Sequence, residues 1–190
     1  MLKVAVGCGK CYECIKQKTR EWQIRLLEEI KNDNKAHFVT FTFSPDGLKY
    51  IASKIKFKIS GYELDNEIAT VGMRYFLENW RKRNKKSVKH WAITELGKLN
   101  TEHLHIHAVI WTDNKDEIVR NWKYGHTYIG HSINESVINY IIKYCSKTDI
   151  LHKDYKPKIL CSKGIGKTYL NKNNLKFNRY KNEDTKERIS

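Results

Sequence analysis

The sequence of 190 residues lacks the features that mark several classes of protein. No apolar run approaches the roughly 20 residues that a membrane-spanning helix requires, so no membrane association is predicted. The first ten residues, MLKVAVGCGK, do not have the architecture of a signal peptide. No internal repeat and no linker divides the chain. We therefore expect an intracellular, cytoplasmic protein with one domain in residues 1–170, followed by a polar, flexible C-terminal tail in residues 171–190.

Acidic residues are scarce relative to basic residues. The chain contains 36 Lys and Arg against 21 Asp and Glu, which gives a formal net charge of +15. A surplus of this size on a small domain favours a polyanionic partner, most often nucleic acid. A proteome rich in Lys and Asn would produce the same surplus without such a partner. Hydrophobic residues make up 40% of the chain, which predicts a globular rather than a disordered protein.

Cysteines are few, and their number is odd. Five cysteines without a secretory signal argue against a disulfide framework. Cys8, Cys11 and Cys14 form a tight cluster whose thiolates are suited to a structural Zn²⁺, with Cys161 or a histidine as the fourth ligand. A second CxxC pair is missing, so reduced cysteines with a purely structural role remain the alternative.

Apolar residues recur at helical spacing in some segments and at strand spacing in others. The patterns predict an α+β fold in which helices pack on a central antiparallel β-sheet. Residues 44–47 have the composition of a turn, and residues 49–60 are expected to form a further strand or hairpin. Strands are expected in 36–43, 87–96, 103–111 and 126–132, and helices in 13–33, 66–86, 115–123 and 134–147.

Three histidines alternate with apolar residues in HLHIHAVIW. Residues two apart in a strand point to the same side, so His103, His105 and His107 share one face of the strand. Two imidazoles at this spacing can hold one divalent metal ion. Antiparallel pairing with the preceding strand brings Glu95 opposite His103 or His105 and completes a site with one carboxylate and two imidazoles. The alternative is a structural strand that happens to carry histidines.

Two tyrosines lie four residues apart in the helical segment NESVINYIIKYCSK. Tyr140 and Tyr144 therefore fall on one side of the helix, at the edge of its apolar stripe, where they can reach a cleft. Lys143 and Lys147 repeat the same spacing. A phenol becomes a useful nucleophile when a nearby cation or metal favours the phenolate, and lysine can balance charge on a phosphoryl group. Tyrosines that only pack the helix would give the same pattern.

The order of these motifs resembles that of the HUH endonucleases, which start rolling-circle replication. HFVTFTF is similar to their first motif, HLHIHAVIW resembles their histidine–hydrophobic–histidine motif, and YIIKYCSK resembles their tyrosine motif in its two-tyrosine form. The resemblance is greatest to replication initiators of small single-stranded DNA phages of the microvirus type, especially the gokushovirus branch. Their N-terminal cysteine-and-helix segment resembles CGKCYECIKQKTREWQIRLLEE, and their late glycine motif resembles SKGIGKTYL. The resemblance covers about residues 7 to 170.

The resemblance implies a fold, a reaction and a set of roles. The fold is the ferredoxin- or RRM-like palm of HUH endonucleases. One tyrosine attacks single-stranded DNA at a replication origin, leaving a 5′-phosphotyrosine and a free 3′-hydroxyl, and the second tyrosine allows later strand joining. The implied ligands of Mg²⁺ or Mn²⁺ are His105 and His107 with Glu95, or with His103 in its place. The implied catalytic residues are Tyr140 and Tyr144, supported by Lys143 and Lys147.

The same resemblance implies host partners and a host compartment. Host helicase and polymerase are the expected protein partners, and a phage-encoded chain would act in the bacterial cytoplasm. No nucleotide cofactor is expected, because GIGKT at 164–168 has cysteine where a phosphate loop requires its first glycine. A basic run is expected either to grip the DNA backbone or to be only a solvated helix end. It comprises Arg81, Lys82, Arg83, Lys85 and Lys86, next to Trp80.

Two alternatives to this enzyme remain open. A zinc-stabilised nucleic-acid-binding protein would use the cysteine cluster and need no tyrosine pair. A metal-dependent nuclease that activates water would need the histidine strand but would leave no protein–DNA adduct.

Overall fold

The computed structural model describes residues 7–9, 11–97, 102–130, 133–146, 152, 154–167, 180–181 and 188–189. Five helices and five strands of one sheet are assigned within these ranges, which confirms the predicted α+β class. The helices are α1 Tyr12–Asn32, α2 Pro45–Ala52, α3 Gly61–Asn84, α4 Asp116–Asn121 and α5 Glu135–Ile142. The strands are β1 Ala36–Thr42, β2 Lys89–Leu96, β3 Leu104–Trp111, β4 Thr127–Ile129 and β5 Ile159–Cys161. Most of the predicted tail, 171–190, lies outside the described residues, and its described part is a separate antiparallel pair, Tyr180–Lys181 (β6) with Arg188–Ile189 (β7).

The five strands form one antiparallel sheet in the order β4-β1-β3-β2-β5. The histidine strand, β3, is its central strand and pairs with β1 on one side and β2 on the other. Central strands are the most rigid positions in a sheet because both of their edges are hydrogen-bonded. The side chains that β3 carries are therefore held in a fixed frame.

Helices cover both faces of the sheet, and each face has its own apolar core. The first core packs α2, α3 and α4 on one face, around Phe41, Ile106 and Phe76, which are fully buried. The second core packs α1 and α5 on the other face, around Trp91 and Val109. The histidines point to the second face, so part of that face is core and part is open.

The segment after β1 differs from the prediction. Residues 45–52 form helix α2 where a turn followed by a strand or hairpin was expected. Ser44 is its N-cap, with its hydroxyl oxygen accepting a hydrogen bond from the Gly47 amide at 3.0 Å, and Pro45 occupies the first helical position. The cap-and-proline signal for a helix start was present, and the turn interpretation overlooked it. Of the part of the chain that the structure describes, no helix is long and apolar enough to cross a membrane.

Candidate active site

The pairing of β2 with β3 sets the geometry of the histidine strand. Glu95 lies directly opposite His105, and Ile93 lies opposite His107. On the other side of β3, Thr42 lies opposite His105 and Thr40 opposite His107. Directly opposed residues project to the same side of an antiparallel sheet. The register therefore places Glu95, both histidines and both threonines on one face.

His107 is the most highly connected side chain on this face. It is 6% exposed, and its Nε2 lies 2.6 Å from a carboxylate oxygen of Glu95. Its Nδ1 lies 3.0 Å from the hydroxyl oxygen of Thr40. The ring stacks on Tyr144 with centroids 4.4 Å apart, and Phe38 lies parallel to it at 6.0 Å. These contacts fix the plane of the imidazole and bring the tyrosine motif next to the histidine motif.

The two tyrosines meet through their hydroxyl groups. The phenol of Tyr144 donates a hydrogen bond of 2.7 Å to the oxygen of Tyr140. Tyr140 is 44% exposed, as a cleft-edge position requires, whereas Tyr144 is only 5% exposed. The difference arises because α5 ends at Ile142 and Tyr144 lies in the following 3₁₀ turn, Lys143–Cys145, which packs against the sheet. Both tyrosines had been expected at the cleft edge.

Charge distinguishes the two phenols. The ammonium of Lys143 lies 3.7 Å from the ring centroid of Tyr140 and 5.4 Å from that of Tyr144. Burial, the hydrogen bond to Tyr140 and the nearby carboxylate of Glu95 raise the pKa of Tyr144 far above its usual range. Tyr144 is thus held as a neutral donor, while the exposed Tyr140 receives its hydrogen bond and sits beside a cation.

These residues line one open cleft of about 600 Å³. Its walls combine Thr40, Glu95, His105 and His107 from the sheet with Tyr140, Lys143 and Tyr144 from the α5 region. Burial, and next the neighbouring His107, lower the pKa of His105, so its imidazole is neutral and free to donate a lone pair near pH 7. The cleft therefore contains a carboxylate, two imidazoles, two phenols and one ammonium.

The fit of this donor set to Mg²⁺ or Mn²⁺ is chemically good and geometrically incomplete. One carboxylate and two neutral imidazoles with open positions suit such ions. However, the ligand atoms of Glu95, His105 and His107 do not all lie within 4.8 Å of one another, because Glu95 and His107 bond directly. A bound ion would take the place of that hydrogen bond. His103 is exposed, and its carbonyl accepts a hydrogen bond from the amide of Gly97 at the mouth of the hairpin.

The cysteine cluster brings its three sulfur atoms together. Those of Cys8, Cys11 and Cys14 lie within 4.8 Å of one another, and the first and last are 3.9 Å apart. Tetrahedral zinc with Zn–S bonds near 2.3 Å places sulfur atoms roughly 3.8 Å apart. The amide of Cys11 also donates to the sulfur of Cys8 at 3.2 Å. Three cysteines can therefore hold a metal such as zinc, and Cys161 is not part of this group.

The basic run lies away from the cleft. Arg81, Lys82 and Arg83 end α3, and Lys85 is its C-cap, which places the run at the start of β2, six residues or roughly 20 Å before Glu95. Trp80 is 3% exposed in the first core, so it is not available to stack on a base. The run is exposed, although Arg83 is paired with Glu117 at 3.3 Å. Lys147 lies outside the described residues.

The glycine motif near residue 165 has a structural role. The amide of Gly166 donates a hydrogen bond of 2.8 Å to the buried carboxylate of Glu29 on α1. The other oxygen of that carboxylate receives Lys89 at 3.1 Å, and Ile165 is buried in the second core. The motif thus joins α1 to the sheet, and the amide that a phosphate would need is already bonded to a carboxylate.

Thr40 and Phe38 are site residues that the sequence motifs did not identify. Both belong to β1, where Thr40 bonds His107 and Phe38 contacts the rings of His107 and Tyr140. The two-residue period of HFVTFTF places the two residues on one face. Only the pairing of β1 with β3 reveals that this face is the histidine face.

Comparison with known proteins gives two findings. The family model of the replication-associated protein ORF2 matches residues 36–149, more than half of the chain. The chain is also 29% identical over 195 residues to the replication-associated protein ORF2 of Spiroplasma virus 4, in an alignment that covers 89% of this chain. The chain spans only 58% of the length of that relative. No solved structure shows a significant match.

Proposed function

The chain belongs to the family of the replication-associated protein ORF2, and we propose that it is a replication-initiation endonuclease of the HUH type. It nicks single-stranded DNA at an origin and keeps the 5′ end on a tyrosine. One observation carries the proposal: a connected row of side chains runs from Glu95 through His107 and Tyr144 to Tyr140 and ends in an open cleft. A protein that only binds nucleic acid does not require such a row.

Tyr140 is proposed as the first nucleophile. Its oxygen is exposed, receives a hydrogen bond from Tyr144 and lies beside the cation of Lys143. All three features favour the phenolate. The phenolate oxygen forms a bond to phosphorus as the bond to the 3′ oxygen breaks, and the leaving 3′ oxygen takes up a proton. The products are a 5′-phosphotyrosine and a free 3′-hydroxyl that can prime synthesis.

Tyr144 is proposed for the second transfer. A later attack by its oxygen, or by a displaced 3′-hydroxyl, moves the phosphoryl group again and allows strands to be rejoined. Lys143 balances negative charge on the phosphoryl group during these transfers, and Lys147 is proposed for the same task.

Mg²⁺ or Mn²⁺ is the proposed active-site cofactor, held by His105, His107 and Glu95. When bound, such an ion polarises the scissile phosphate. The carboxylate of Glu95 already contacts His107, whereas His103 is exposed, so Glu95 is the preferred third ligand and His103 the alternative. Thr40 orients His107 through Nδ1, which leaves Nε2 facing the cleft.

Single-stranded DNA is the proposed substrate, and host helicase and polymerase are the proposed partners. The net charge of +15 supports a polyanionic substrate. The exposed basic run in residues 81–86 is proposed to hold DNA backbone. Its distance from the cleft requires a DNA segment of several nucleotides between the two sites.

The decisive experiment is covalent trapping. The protein is incubated with Mn²⁺ and labelled single-stranded DNA that contains its origin region, or a random pool, and is then run on a denaturing gel. We expect a labelled protein band that survives SDS, requires the metal and disappears in the Tyr140→Phe/Tyr144→Phe double variant. Cleavage without an adduct would instead indicate a nuclease that activates water. DNA binding without cleavage would indicate a zinc-stabilised binding protein.

A structural Zn²⁺ at Cys8, Cys11 and Cys14 is proposed from the convergence of their sulfur atoms. Purified protein should contain about one zinc per chain, and Cys14→Ser should remove it and lower the melting temperature. Cys145→Ser is the matched control, because Cys145 lies in the second core and not in the cluster. Full zinc content in the Cys14→Ser variant would contradict the proposal.

A further inference from the structure

A buried histidine lies behind the catalytic cleft with one ring nitrogen unused. His152 is 6% exposed, and its Nδ1 lies 2.9 Å from the phenol oxygen of Tyr62 on α3. Its Nε2 is buried and has no hydrogen-bond partner among the residues that the structure describes. An unsatisfied buried nitrogen costs free energy, so its presence calls for an explanation.

The ring of His152 borders a small cavity, which we call the rear cavity. The rear cavity has a volume of about 20 Å³ and is also lined by Glu95 and Tyr144, the two members of the catalytic row nearest to it. Thr94 and Tyr155 add further polar groups to its wall. A site that holds one water needs at least roughly 10–15 Å³ and two to four polar partners. The rear cavity meets both conditions.

Tyr62 determines which nitrogen of His152 serves the rear cavity. The ring of Tyr62 lies edge-on to that of His152 at 5.8 Å, and it is also edge-on to Tyr155 at 5.6 Å. With Nδ1 bonded to Tyr62, Nε2 is the nitrogen left for a ligand in the rear cavity. The arrangement is thus a side chain anchored at one nitrogen and presented through the other.

We propose that His152 is a positioning residue that holds Glu95 through one ordered water in the rear cavity. The inference rests on the proposed nuclease function and extends it to a residue outside every motif of the sequence. The water joins Nε2 of His152 to the carboxylate of Glu95 and limits the rotation of that carboxylate. Partners of this kind orient metal-binding carboxylates, and their loss typically costs 10–100-fold in metal affinity or activity.

Two nearly isosteric variants separate the proposal from a purely structural role. The amide of asparagine falls near the position of Nδ1, whereas that of glutamine falls near the position of Nε2. His152→Asn therefore keeps a partner for Tyr62 and loses the group that faces the rear cavity. His152→Gln keeps the group that faces the rear cavity. Tyr62→Phe, which loses only the anchoring hydroxyl, is a further control.

The first readout is Mn²⁺ affinity without DNA, measured from the electron paramagnetic resonance signal of free Mn²⁺. We expect the dissociation constant of His152→Asn to rise about 10–100-fold and that of His152→Gln to stay close to the wild-type value. The adduct-forming rate should change in the same order. Wild-type Mn²⁺ affinity in His152→Asn, or equal losses in both variants, would overturn the proposal.

The second readout is a high-resolution crystal structure, which does not depend on activity. We expect electron density for a water within hydrogen-bond distance of Nε2 and of Glu95. A dry rear cavity would refute the proposal even if wild-type protein forms the adduct. If wild-type protein forms no adduct while the water is present, the nuclease function fails and the water-mediated contact stands.

Discussion

Replacing Tyr144 with phenylalanine removes the hydrogen bond of 2.7 Å that its hydroxyl donates to Tyr140. The ring remains, so its stacking on His107 at 4.4 Å is preserved. A hydrogen bond to a charged oxygen contributes about 1.5–3 kcal/mol. If Tyr140 attacks as a phenolate, the loss of this bond should slow adduct formation by about 10–150-fold, since each 1.36 kcal/mol corresponds to a factor of ten.

The assay is the single-turnover rate of adduct formation with excess protein over labelled single-stranded DNA. Tyr140→Phe is the matched variant and should abolish the first adduct. Both variants should unfold at nearly the wild-type urea concentration, because each removes only one hydroxyl. If Tyr144→Phe abolishes the adduct while Tyr140→Phe forms it at the wild-type rate, the assigned order of the two nucleophiles is wrong.

Three further predictions concern stability and DNA binding. Gly166→Ala should lower the free energy of unfolding by about 2–4 kcal/mol in urea titration, because its φ is +78° and an added Cβ would lie 2.5 Å from an arginine side chain of α1; Gly61→Ala, at φ +58° in open space, should cost about 1 kcal/mol. Lys82→Gln should reduce the salt dependence of single-stranded DNA binding by about 0.7 in log–log slope, whereas Arg83→Gln should change it less because that guanidinium is ion-paired. Burial lowers the pKa of His90, so the unfolded state binds more protons and the free energy of unfolding should fall as the pH drops below about 6.5; urea titration of His90→Asn should show a weaker dependence, and an unchanged one would contradict this assignment.

The periodicity of the sequence was sufficient for the histidine strand. Alternation in HLHIHAVIW placed His105 and His107 on one face, and the short hairpin brought Glu95 opposite His105. Both inferences need only local geometry. Local pattern was also sufficient for the two tyrosines on one side of the α5 region, but not for their unequal burial. That difference depends on where the α-helix tightens into a 3₁₀ turn, which side-chain spacing does not encode.

Contacts between distant segments were beyond the reach of the sequence. Thr40 reaches His107 only because β1 pairs with β3, and His152 reaches the rear cavity only because its segment packs behind Glu95. The error at residues 44–60 is different in kind. There Ser44 and Pro45 carried a helix-start signal, and the presence of Pro, Asp and Gly together was interpreted as a turn.

The lengths of the strands have a consequence for how the protein behaves at high concentration. The three inner strands, β1, β2 and β3, have seven or eight residues, while the outer strands β4 and β5 have three each. Exposed sheet edges are templates on which other chains can polymerise, and short edge strands offer little length for such growth. The sheet thus keeps its long, apolar strands out of reach of intermolecular pairing. A protein that accumulates in a crowded cell while its cleft stays open gains resistance to aggregation from this arrangement.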